Sequence, residues 1–206
     1  MARSKSSGQW LQEHFHDEYV KMAQIQGFRS RAVFKLQEIQ EKDRIIGPDS
    51  TVVDLGAAPG GWSQYVRQIV GKKHKVIALD ILDIEPIEGV EFICGDFREA
   101  DVLEQLYKVL NGMPVNLILS DMAPNMSGSR EMDQPRAIYL GELALDTART
   151  VLTPGGSFLV KMFQGEGFDA FHQDVKRSFA QVVIRKPKAS RPRSNEVYIL
   201  GKGFKA

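Results

Sequence analysis

Asp54, Gly56, Gly60 and Gly61 follow the short apolar run Val52-Val53 and lead into Trp62, where a helical pattern opens. A glycine at a strand end lets the backbone turn sharply, and the glycine pair leaves room for a bound molecule against the main chain. Any strand-to-helix turn tolerates glycine, so spacing from the loop says more than the loop itself. A second apolar run, Val76-Ile77-Ala78-Leu79, closes on Asp80, where a doubly wound sheet hydrogen-bonds a ribose diol. A third, Val90 to Cys94, closes on Gly95-Asp96, a further carboxylate at a strand end, suited to an adenine edge.

The loop lacks the G-x-G-x-x-G pattern of a dinucleotide site. Its D-x-G-x-x-x-G spacing, with Pro59 ahead of the glycine pair, resembles the loop of S-adenosylmethionine (SAM) methyltransferases. SAM carries no pyrophosphate to seat on a helix N-terminus, and the spacing favours it over NAD.

Four more residues lie at or near predicted strand ends: Asp121 after Val115 to Ser120, Lys161 after Ser157 to Val160, Glu196 opening the final strand, and Lys35 in a helix. Singly, each has an ordinary structural reading: an ion pair for Lys161 and Glu196, a turn cap for Asp121, a solvated charge for Lys35. Jointly they suit methyl transfer to a hydroxyl, which must shed its proton as the new bond forms. A lysine can take that proton if its pKa falls from about 10.4 toward neutrality, through burial or a second ammonium. Lys35 beside Lys161 would supply that ammonium, while Asp121 and Glu196 would orient both and pull the other way. Other acceptors fit less well. The covalent route to pyrimidine C5 needs a cysteine nucleophile, and Cys94, the one cysteine, sits in a strand away from this group. The turn Asp121-Met122-Ala123-Pro124-Asn125 lacks the paired prolines and aromatic of base-amine methylases. Asp121 and Asn125 make a thin ligand set for a metal-dependent enzyme, and no metal is expected.

The elements that must position these groups alternate. Helices are expected from Trp10 to Gln26, stopped by Gly27, and from Ser30 to Asp43. There follow strand 51–55, helix 60–70, strands 75–80 and 90–94, helix 98–110 and strand 115–120. The second half reads as a helix from Pro135 to Leu152, a strand from Ser157 to Met162, a helix from Phe168 to Phe179, and strands 181–185 and 196–200. This order predicts an α/β fold with a mostly parallel sheet and helices on both faces. The last two strands lie too close for a helical crossover and should form an antiparallel hairpin at the sheet edge. With 206 residues, no repeat and no linker, one domain is expected, its residues 1–9 a disordered basic tail. Cys94 is expected to be buried, a reducing cytoplasm fits a lone cysteine, and no signal or membrane span is read. The net charge of +1 announces no nucleic acid. Its distribution does, since Arg29, Arg31 and Lys35 form one basic cluster and Arg185, Lys186, Lys188, Arg191 and Arg193 another.

Taken together, the chain resembles the FtsJ-type ribosomal RNA large-subunit uridine 2′-O-methyltransferase family in its bacterial form. The resemblance runs through Trp10 to Phe15, Arg29 to Ala32, Phe34 to Leu36, Asp54 to Trp62, Ser120 to Gly128, Gly155 to Gly167, and Ser194 with Glu196 to Tyr198. Asn195 stands where the family often carries a basic residue. The resemblance implies a Rossmann-like, seven-stranded methyltransferase fold, and a catalytic set falling on Lys35, Asp121, Lys161 and Glu196 with Lys161 as proton acceptor. It implies SAM contacts at Gly60, Trp62, Asp80, Asp96 and Asp121. It further implies methylation of a uridine 2′-hydroxyl in large-subunit ribosomal RNA, on the assembled subunit rather than naked RNA, by a monomer. Helices 10–43 would contribute to the RNA site, with Arg29, Arg31, Arg191 and Arg193 as contacts. The alternatives are a 2′-O-methyltransferase of tRNA or an RNA cap, and an assembly factor that binds SAM and RNA without chemistry.

Overall fold

Strands alternate with helices along nearly the whole chain. The computed structural model describes residues 17–191 and 193–206, so the expected basic tail and the start of the first expected helix lie outside the described residues. The described elements are α1 (Glu18–Ile25), α2 (Val33–Asp43), β1 (Val52–Leu55), α3 (Gly61–Ile69), β2 (Val76–Asp80), β3 (Val90–Cys94) and α4 (Ala100–Leu110). They continue with β4 (Val115–Ser120), α5 (Arg130–Val151), β5 (Leu152–Phe163), α6 (Phe168–Ser178), β6 (Phe179–Arg185) and β7 (Glu196–Phe204).

The seven strands form one sheet in the order β3-β2-β1-β4-β5-β7-β6. Strands β1 to β5 pair in parallel, and β7 runs antiparallel to both of its neighbours. The expected hairpin is there, with β7 inserted between β5 and the edge strand β6. Because β7 is reversed, its first residue lies where the parallel strands end, and Glu196 pairs with Phe163 at the end of β5.

Both faces of the sheet are covered, and side chains alternate between them. Val53, Leu55, Ile118, Phe158, Val160, Val197 and Ile199 pack toward α4, α5 and α6 through Leu106, Ala144, Ala148, Phe171 and Val175. Val52, Leu117, Leu119, Leu159, Tyr198 and Leu200 face α2 and α3 through Leu36, Ile39, Trp62 and Val66. By the same alternation Lys161 falls on the α2 side, which is why a residue of α2 can reach its neighbourhood.

Three expectations need correction. Cys94 is exposed, because β3 is an edge strand and Ile93 takes the inward position. Helix α5 starts at Arg130 rather than Pro135, so that proline lies inside the helix. The added turn is held by buried Asp133, whose carboxylate accepts from Ser127 N (2.8 Å), Ser127 Oγ (2.8 Å) and Gly128 N (3.0 Å). Helix α2 begins at Val33, although Ser30 still works just ahead of it, its Oγ accepting from Ala32 N at 3.1 Å.

Candidate active site

In an open parallel sheet a ligand crevice forms outside the carboxyl ends of the strands, where the strand order reverses. Here that point lies between β1 and β4, which pair Leu55 with Ser120. Gly56 follows one strand and Asp121 the other, and Asp121 N donates to Leu55 O at 3.1 Å. Gly56 has φ +77°, and a Cβ there would stand 2.7 Å from Met122 Cγ and 2.9 Å from Met122 N and Cα. Only glycine fits this close approach of two backbones.

A cleft of about 480 Å³ opens at this point, lined by Gly56, Ala58, Asp80, Asp96, Asp121 and Tyr139 among others. Three carboxylates thus converge from the ends of β2, β3 and β4. Asp80 also organises the loop, since its Oδ2 accepts from Ala58 N at 2.8 Å and its Oδ1 from Leu82 N at 2.9 Å. Arg98 grips Asp96 through Nε at 3.0 Å and Nη2 at 2.6 Å, and holds that carboxyl below the usual carboxylate range. Asp54 lies fully buried beneath the loop. Its Oδ2 accepts from Ser63 Oγ at 2.6 Å while its Oδ1 has no partner among the described residues. Burial, with a smaller push from the charges of Asp121 and Asp80, raises its pKa to about 7.

Beside the cleft, on the α2 face, two ion pairs flank one aromatic ring. Lys161 Nζ lies 3.1 Å from Asp121 Oδ1 and donates to Asp121 O at 2.5 Å. Lys35 Nζ lies 2.6 Å from Glu196 Oε1. Tyr198 pairs with Lys161 across β5 and β7, donates from its hydroxyl to Asp121 Oδ1 at 2.7 Å, and has Lys35 Nζ 5.8 Å from its ring centroid. Burial, then the charges of Asp121 and Glu196, push the Tyr198 phenol well above its ordinary range, so it remains a donor. Such a group can pass a proton from a bound hydroxyl to an amine while a carboxylate stabilises the ammonium that forms.

The structure brings Lys35, Asp121, Lys161 and Glu196 together, and gathers Asp80, Asp96 and Asp121 around the cleft. Gly60 and Trp62 are not in its lining. Trp62 is buried, its indole nitrogen donating to Ala32 O at 2.8 Å and its ring 5.8 Å from that of Tyr198. Its side chain supports the Lys35 helix from below. Gly60 has φ +102° and approaches the Arg29 guanidinium.

The basic clusters are partly internal. Arg29 donates to Glu85 O at 2.5 Å and Pro86 O at 2.9 Å, strapping the N-terminal segment to the loop that follows β2. Arg31 pairs with Asp17 at 2.8 Å and donates to Ala189 O at 2.5 Å. Arg185 grips Asp43 with Nε at 2.7 Å and Nη2 at 2.8 Å, and Lys186 bonds Ser194 O. Lys188 and Arg193 are exposed and Arg191 half-buried on the loop between β6 and β7. Sequence reasoning did not give Tyr198 a role, although its position two residues after Glu196 puts both on one face of a strand. Arg136 and Tyr139, which line the cleft from α5, carry no signal in the sequence, because the helix face that meets the cleft is set by tertiary packing.

Comparison with known proteins gives a consistent set of relatives. The model of the FtsJ-like methyltransferase family matches residues 28–204. A Pseudomonas aeruginosa protein named ribosomal RNA large subunit methyltransferase E is 58% identical over 205 residues, covering 100% of this chain and 99% of that protein. A Stenotrophomonas maltophilia protein of the same name is 58% identical over 204 residues, covering 99% of this chain and 97% of the relative. Among solved structures, a Plasmodium falciparum chain provisionally described as a ribosomal RNA methyltransferase superposes with a TM-score of 0.74 at 29% identity, over 86% of this chain and 98% of that one.

Proposed function

The chain belongs to the FtsJ-like methyltransferase family, and from that premise we propose that it transfers a methyl group from SAM to the 2′-hydroxyl of a uridine in large-subunit ribosomal RNA. The observation that carries the reading is the Lys161–Asp121 pair at the lip of the carboxylate-lined cleft. SAM fits that cleft by charge, since its sulfonium and ammonium are cations and the lining offers Asp80, Asp96 and Asp121. Asp80 would hold the ribose diol and Asp96 the adenine side. Bound there, SAM supplies an electrophilic methyl group.

The chain's own residues supply the rest. Glu196, fixed by Lys35, would accept a hydrogen bond from the acceptor ribose and turn its 2′-oxygen toward the cleft. Lys161, once its ammonium has released a proton to solvent, would take the hydroxyl proton at Nζ as the oxygen–methyl bond forms and the sulfur–methyl bond breaks. Asp121 would stabilise the new ammonium, with Tyr198 holding the carboxylate in place. The whole chain would work as one methyltransferase unit and a monomer, its N-terminal helices and β6–β7 loop facing RNA in the assembled subunit. A cytoplasmic site fits such a substrate, and among the described residues no helix is long and apolar enough to cross a membrane.

Mass mapping of ribose methylation in large-subunit RNA from cells lacking the protein tests this directly. One uridine should lose its methyl group, regain it with the wild-type gene and not with Lys161→Ala. An unchanged methylation map would overturn the substrate. Rescue of the cells' phenotype by Lys161→Ala would point instead to an assembly role without chemistry.

A further inference from the structure

The loop between β6 and β7 is clasped onto α2 and the turn ahead of it, on both sides of Lys35. Four residues before Lys35, Arg31 donates to Ala189 O at 2.5 Å; three residues after it, Glu38 Oε2 accepts from Lys188 N at 2.7 Å. Arg31 lies in the turn just ahead of α2, while positions 35 and 38 share one stripe of the helix, so the two clasps fall on either side of the lysine. The loop is also closed on itself, with Ser190 N donating to Pro187 O at 2.9 Å. What this path delivers is the Ser190 side chain, which is buried and donates from Oγ to Glu196 Oε1 at 2.8 Å.

Glu196 Oε1 therefore has two partners, Ser190 Oγ and Lys35 Nζ. A glutamate's terminal torsion is broad, and one flexible ammonium does not fix the carboxylate plane. A hydroxyl on a clasped loop, meeting the same oxygen from another direction, does. We propose that Ser190 is a positioning residue for this reaction: its hydroxyl locks the plane of the Glu196 carboxylate in the orientation that meets the acceptor ribose. The inference rests on the assignment of Glu196 to the acceptor hydroxyl.

Without the hydroxyl, Lys35 can swing Glu196 away from the ribose, so the loss falls on turnover and not on cofactor or RNA binding. Ser190→Ala, assayed with labelled SAM on unmethylated large ribosomal subunits, is expected to lower kcat about tenfold, as for one lost hydrogen bond to a charged group, with both KM values within about twofold. Ser190→Thr, which keeps the hydroxyl, should recover most of the rate. Ser190→Cys keeps the volume and weakens the donor, and should lower kcat in the same direction even where the alanine variant does not fold. A cycle with Glu196→Ala separates positioning from bulk stability: in that background Ser190→Ala should have no further effect on kcat. Wild-type kcat in Ser190→Ala, or in Ser190→Cys where the alanine variant is unfolded, would overturn the inference. So would equal kcat losses with and without Glu196. If Glu196→Ala itself retains full activity, the assignment of Glu196 fails instead, and the two failures are distinguishable.

Discussion

Lys161 sits between two possible roles, proton acceptor and fixed positive charge, and the guanidinium tells them apart. Lys161→Ala should lose about two to four orders of magnitude in single-turnover rate while SAM and RNA still bind. Lys161→Arg should be nearly as inactive, because a guanidinium stays protonated and cannot accept a proton. Near-normal activity of the arginine variant would end the base assignment. Asp80 can be tested apart from the chemistry. Its alanine variant loses the ribose contacts and the bonds from Ala58 N in the loop and Leu82 N just after β2, so SAM affinity measured by calorimetry should fall by about 1.5–3 kcal/mol. Unchanged affinity would move the ribose elsewhere in the cleft. These carboxylates were legible because a strand end followed by an acidic residue is a local pattern. The arginines were not. Arg29 meets its acceptors more than fifty residues away, at the carbonyls of Glu85 and Pro86, and main-chain carbonyls leave no trace in side-chain identity.

At the scale of elements, hydrophobic periodicity gave the succession of strands and helices along the chain and most helix limits, since buried strands and amphipathic helices differ in period. Its failures are local. Asp133 folds back onto Ser127 and Gly128 and so carries α5 through Pro135, a side-chain capping bond that overrides the ordinary reading of proline as a helix start. Exposure of Cys94 followed from which strand forms the edge, and strand order is not written in periodicity. The β6–β7 loop shows the same limit: five basic residues look alike in sequence, yet Arg185 and Lys186 are tied inward. RNA contact is expected from Lys188 beside the pair Arg191 and Arg193. Replacing all three with glutamine should weaken binding to large subunits and lower the slope of log affinity against log salt by about 0.7–0.9 per lost phosphate contact, with SAM affinity unchanged. An unaltered slope would leave this loop a solvated clasp and nothing more.

Across the whole molecule, the cleft concentrates negative charge, and Asp54 records the cost of that arrangement for stability. Its folded pKa is about 7 against an ordinary 3.8, raised first by burial and then by Asp121 and Asp80. Between those two values the folded state holds a proton that the unfolded chain has released. Stability from this group therefore falls as pH rises from about 4 to about 7, and is flat above, where both states are ionised. Asp54→Asn removes the titration while keeping an oxygen that can accept from Ser63 Oγ. The expected outcome is a Tm difference, asparagine variant minus wild type, that grows as pH rises from about 5 to about 8, because every other titrating group is common to both proteins and cancels. Saturating SAM should shrink the difference at the higher pH, since a cation beside Asp80 and Asp121 offsets part of the field acting on the buried carboxyl. Parallel melting curves across that range would show that Asp54 is ionised throughout. The loop's buried carboxyl would then be no more than a hydrogen-bond acceptor for Ser63.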